Sequence, residues 1–116
     1  MLRGIRGAIT VKNNTAKEIL DATQILLKQI VKANDIETED IVSIIFSATP
    51  DVNAEFPAKA AKVIGWEDVP RLCAQEIDVP SGLKKCIRVL MHVNMEKEQE
   101  KIKHIYLRKA KNLKKG

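Results

Sequence analysis

The chain has 116 residues, 45% of them apolar and 30% charged, a globular balance that excludes a disordered chain and is long enough for one domain with its own core. Its net charge is +5 and its pI near 9.3, which suits either nucleic acid or small anionic metabolites. No apolar run approaches the roughly 20 residues that span a bilayer, and "MLRGIRGAIT" has arginines at 3 and 6 with no apolar stretch behind them, so neither a membrane helix nor a signal peptide is expected.

In chain order, residues 2 to 11 ("LRGIRGAITV") alternate as a strand, with Ile5, Gly7 and Ile9 on one face and Arg6, Ala8 and Thr10 on the other. Its glycines weaken the strand but let another group approach the backbone. Thr15 and Glu18 fit a capping box, and Ile19, Ala22, Leu26, Leu27, Ile30 and Ala33 follow at helical spacing, with Asn34 as the stop. The continuous apolar run 41–49 ("IVSIIFSAT") predicts a central strand covered on both sides, ended by Pro50 and Asp51. "FPAKAAKVIG" (56–65) predicts a short helix, with Pro57 in the first turn and Gly65 past the end. Strands are expected at 71–79, from Cys86 through Val93, and at 103–110, with "EKEQEK" (96–101) a solvated connector. Strand, helix, strand, helix and three strands describe one α/β or α+β domain over 1–116, its helices on one side of the sheet.

Arg6, Glu76, Arg88 and Tyr106 stand as polar residues in these apolar strands. Arg88, between Cys86 and Leu90, needs an anion, because a guanidinium stays charged and is costly to bury unpaired. It admits two readings. One is a structural ion pair with Glu76. The other is a ligand site in which two arginines, a carboxylate and a phenol converge on a small polyanion bearing a hydroxyl. Cys73 and Cys86 are too few for a disulfide framework and lack CxxC spacing, so they read as free thiols of a reducing, cytoplasmic compartment. His92 and His104 have no metal-ligand spacing. Five basic residues crowd into 108–115, leaving a basic tail rather than a recognition stripe.

In order along the chain, "RGIRGAITV", "SATPDVNAEFPAKAAK", "GWEDVPRLCAQEIDV", "GLKKCIRVLMHV" and "IKHIYLRKA" resemble the AroH-class chorismate mutases. The resemblance implies an α+β fold with a mixed five-stranded sheet and helices on one face, three copies of which form a pseudo-α/β-barrel homotrimer. It implies an isomerase that rearranges chorismate to prephenate on the shikimate route to phenylalanine and tyrosine. That pericyclic reaction needs no nucleophile, metal or cofactor, and no nucleic-acid or membrane partner is implied.

By matching position, the resemblance sets Arg88 against the ether oxygen and one carboxylate of chorismate. Glu76 takes the ring hydroxyl, and Arg6 and Tyr106 take carboxylate oxygens. Cys73, with Leu72 beside it, is set near the ring edge as a contact rather than a nucleophile. Strict alternation puts Cys73 and Glu76 on opposite faces, so joint contact calls for a bulge. Phe56, Ala58, Lys59 and Lys62 are set in the adjacent subunit; read alone, they are an exposed lysine face one turn long. Leu113 and Lys114 are set in a tail folded over the site; read alone, it is a frayed basic end. Three departures stand out. The segment from Phe56 to Trp66 is one residue short, lysines replace arginines at 62 and 114, and Leu72 replaces a small polar residue. Two other readings stay open: a RidA-like imine hydrolase of the same fold, and a basic module that puts its C-terminal lysines on nucleic acid.

Overall fold

The first strand, β1 (Leu2–Thr10), buries Ile5 and Ile9 on one face and leaves Arg6 exposed on the other. This is a computed structural model; it describes residues 1–115, with the backbone only for Lys114 and Lys115. Helix α1 (Ala16–Ala33) starts at Thr15, whose Oγ1 accepts the Glu18 N–H at 3.2 Å. The Glu18 carboxylate accepts from the Asn13 N–H at 3.1 Å rather than returning to Thr15, so only half of the capping box forms. Asn34 ends the helix, and Asp35 follows in the left-handed region at φ 52°. The buried Asn34 amide also donates to the Lys103 carbonyl and accepts the Lys103 N–H, each at 2.9 Å, tying the end of α1 to a distant segment.

β2 (Ile41–Ala48), α2 (Lys59–Val63), β3 (Arg71–Gln75), β4 (Cys86–Asn94) and β5 (Ile105–Tyr106) complete the chain. The sheet order is β3-β2-β4-β1-β5. β2 and β3 run parallel, as do β1 and β5, while β4 lies antiparallel between β1 and β2. This mixed five-stranded α+β sheet matches the expected class. Both helices cover one face, where Leu26, Leu27, Ile30, Phe46 and Met91 are fully buried in one mainly aliphatic core.

Several boundaries differ from the sequence reading. The strand expected over 71–79 stops at Gln75 because β3 is an edge strand whose one neighbour, β2, ends at Ala48. The Glu76 N–H makes a last bond to the Ala48 carbonyl at 2.9 Å. Ile77 continues the apolar alternation but is 82% exposed. The strand expected over 103–110 shrinks to two residues, since Arg108 turns to φ 57° and Arg108–Lys115 winds into a 3₁₀ segment. The helix expected over 56–65 narrows to α2, with turns before it and Gly65 at φ 89° after it. β2 is covered on its helix side only; on the other face Ile45 is exposed. The connector 96–101 contains a 3₁₀ turn, and its Gln99 side chain pairs with both backbone groups of Gly4 as a neighbouring strand would.

Candidate active site

Strand register assembles the outer face of the sheet. Across it run Tyr106, Ala8, Arg88, Ser47 and Ala74, each paired with the next. Arg88 therefore stands between two small side chains, which leave room for a guanidinium above the sheet. Its side chain is 47% exposed, and Nε meets Glu76 Oε1 at 2.8 Å. The ion-pair reading of Arg88 is thus present in the structure, yet the pair is not buried. With Nε fixed by Glu76, the two Nη nitrogens make no ion pair among the described residues. The fork is thereby oriented, with its Nη pair left without a carboxylate partner among the described residues.

The turn after β2 holds both partners in place. The Thr49 N–H donates to the Cys86 carbonyl at 3.0 Å, and Thr49 Oγ1 accepts the Cys86 N–H at 3.0 Å. Asp51 accepts the Lys85 N–H with both carboxylate oxygens, at 2.9 and 3.1 Å. That clasp holds Lys85 at φ 49°, a region a side chain rarely adopts. The stretch Ala48 to Asp51 so anchors Glu76 on one side and the start of β4 on the other. Nothing in the sequence marks this role beyond a turn signal at "TPD".

Arg6, Glu76, Arg88, Tyr106 and Leu113 all line one cavity of about 320 Å³ on the outer face. Two guanidinium groups, one carboxylate and one phenol around a space of that size make a receptor for a small multiply charged anion with a hydroxyl group. Lys114 belongs to the same tail, but its side chain lies outside the described residues.

The remaining expected residues lie elsewhere on the single chain. β3 keeps an unbroken register with β2, so Cys73 shares the helix face with Phe46 while Glu76 faces Arg88. No bulge brings the two together. Cys73 instead lines a separate cavity of about 370 Å³ with Phe56 and Pro57. Leu72 is on the outer face beside Ile45 and is 63% exposed. Ala58 precedes α2, and Lys59 pairs with Glu55 at 3.3 Å, so the two lysines of that helix do not act as a free cationic pair; Lys62 is exposed.

Residues 2–116 match the model of the family described as chorismate mutase type I. The chain belongs to the type I chorismate mutases. It is 51% identical to Chorismate mutase AroH of Bacillus subtilis (strain 168) over 111 residues, covering 95% of this chain and 87% of that one. It is 45% identical to Chorismate mutase AroH of Thermus thermophilus over 114 residues, covering 97% and 93%. A solved chorismate mutase from Clostridium thermocellum superposes with a TM-score of 0.92 at 53% identity, covering 94% of this chain and 97% of that one. These likenesses favour the mutase over the imine-hydrolase and nucleic-acid readings.

One feature of this chorismate mutase was not legible in its sequence. His104 Nδ1 accepts the Arg6 N–H at 2.9 Å, completing the β1 backbone where β5 has not yet begun. Burial, and then the nearby Arg6 charge, lower the His104 pKa. Both thiols are held protonated. Burial pushes Cys86 up to about 11 against the opposing pull of Arg88, and burial also raises Cys73. Neither is an activated nucleophile. Among the described residues no helix is long and apolar enough to cross a membrane.

Proposed function

We propose that the Arg88 cavity is where this chorismate mutase converts chorismate to prephenate, and that a neighbouring copy in a homotrimer completes it. The observation that carries the reading is the convergence of Arg6, Glu76, Arg88 and Tyr106 on one cavity. Chorismate carries two carboxylates, a ring hydroxyl and an enol ether. As the ether C–O bond breaks ahead of C–C bond formation, negative charge grows on the ether oxygen and positive charge on the ring. The chain's task is to hold the folded conformer and stabilise that separation.

Arg88 is suited to the ether oxygen and one carboxylate, since its Nη pair is directed by the Glu76 contact on Nε. The second Glu76 oxygen accepts the ring hydroxyl, and the carboxylate faces the electron-poor ring. Arg6 and the Tyr106 hydroxyl bind carboxylate oxygens, and the tail packs Leu113 over the opening. No step calls for a nucleophile, in keeping with two protonated thiols. Leu72 stands on the open outer face, and Cys73, which shares a cavity with Phe56, reaches the ring edge together with Phe56, Ala58, Lys59 and Lys62 from the adjacent copy. Support for the shared site is that these residues lie apart from Arg88 on their own chain, while the apolar outer face beside the cavity stands open at Ile45, Leu72 and Leu90. A face of that kind marks an interaction surface.

The test is the loss of chorismate absorbance with purified protein, and then with Arg88→Lys. Lysine keeps the charge but moves its centre and loses the fork. Removing a comparable preorganised donor costs about 10² to 10³ in rate, so Arg88→Lys should lose at least about 10² in kcat while remaining folded, and Arg88→Ala more. A folded Arg88→Lys variant with near-normal kcat would reduce Arg88 to a binding or structural residue.

A further inference from the structure

We propose that a lysine-walled groove beside the active-site cavity captures the dicarboxylate substrate on its way to Arg88. The inference rests on reading that cavity as the mutase site. The groove, about 610 Å³, lies between the loop preceding β4 and the C-terminal 3₁₀ segment, with Lys84, Lys85, Lys109 and Asn112 among its walls. Among the described residues no Asp or Glu lines it. Leu113 is common to the groove and to the Arg88 cavity, so the two adjoin.

The lysines are held differently. Lys85 Nζ is fixed on the Lys12 carbonyl at 3.1 Å, so its charge is pinned at the rim. Lys84 and Lys109 make no salt bridge among the described residues. Lys84 also lies near enough to Asp51 to act on its carboxylate, but that carboxylate already takes the Lys85 N–H and the Thr49 hydroxyl. The other depression bordering Arg88 has the opposite character: Asp51, Glu76 and Asp78 line it against Lys84 and Arg88. A dianion is therefore drawn to the lysine side and opposed on the other. Such a field acts within a Debye length, about 10 Å at 0.1 M salt, and raises the local concentration of an incoming anion. It does not touch the reacting bonds, so it acts on kcat/KM and not on kcat.

The experiment follows initial rates against ionic strength for the wild type, the double variant Lys84→Gln, Lys109→Gln, and a control, Lys28→Gln, Lys32→Gln. The control removes the same charge from exposed positions on α1, in the layer behind the sheet. The wild-type kcat/KM should fall as salt rises. The double variant should have kcat/KM about fivefold lower at low salt, a flatter salt slope and unchanged kcat. Its curve should meet the wild type at high salt, and the control should behave as wild type. A double variant with the wild-type slope overturns the proposal, as does a control with an equal loss, which would mean net charge alone. A fall in kcat would place these lysines in the chemistry instead. No turnover by the wild type would remove the site reading itself.

Discussion

Arg88 and Glu76 form a half-exposed pair, and such pairs contribute about 0 to 1 kcal/mol to stability. Their value lies in direction: the carboxylate takes Nε and aims the rest of the fork. His104 shows the opposite case, a titratable side chain that serves the backbone. Its Nδ1 must be unprotonated to accept the Arg6 N–H. Its pKa is lowered from 6.5 by burial and then by Arg6, so the folded chain binds fewer protons there than the unfolded chain. The stability from this group is fully present above the unfolded value, and is lost as pH falls through the lower folded value. Asp51, Glu18 and Glu55 also have lowered values, but their reference points are 3.8 and 4.5, so they act at lower pH. Melting temperature should therefore decline as pH drops below 6.5, and His104→Asn, which keeps an acceptor without the titration, should flatten that first decline. An unchanged slope in the variant would assign the acid sensitivity to another group.

Gly7 sets how closely α1 approaches the sheet. A methyl group there would come within 2.8 Å of Ile30 Cδ1, 3.1 Å of Leu26 Cδ1 and 3.2 Å of the Ile105 carbonyl. The approach that the glycine permits is made by a helix from behind, although the same residue also borders the Arg88 cavity. Gly7→Ala should cost about 1 to 3 kcal/mol through overpacking, read as a lower urea midpoint at constant m. A midpoint equal to the wild type would show that α1 shifts freely to make room. The amphipathic pattern of α1 and the alternation of β1 and β4 were legible because each carries its own period. The ends of β3 and β5 were not. Ile77 extends the apolar pattern after its hydrogen-bonding neighbour has stopped, and Leu107 does so where Arg108 reverses the backbone. Arg88 was legible as an anomaly within its strand. The roles of Gln99 and His104, side chains that imitate a missing strand, depend on what the sheet edge lacks, and no local spacing announces that.

At the scale of the molecule, the expected site residues divide into a set on the outer sheet face and a set around α2, and a shared site would reunite them across copies. Mixing Arg88→Ala with Lys59→Ala, Lys62→Ala under subunit exchange should restore part of the activity, since some mixed sites receive both intact halves. Confirmed mixed trimers without recovered activity would show that each site is built by one chain. The strand order also bears on how the chain reaches this state. β1 is made before the other strands, yet among the described residues its strand partners are β4 and β5 alone. During translation its backbone N–H and C=O groups have no native partner strand until the segment ending at Asn94 has emerged. β2, α2 and β3 are contiguous in the chain and can pair while β1 waits. Joining the two ends of the chain is thus a late, long-range event, and pairings of that kind are what slow the folding of sheet-rich domains.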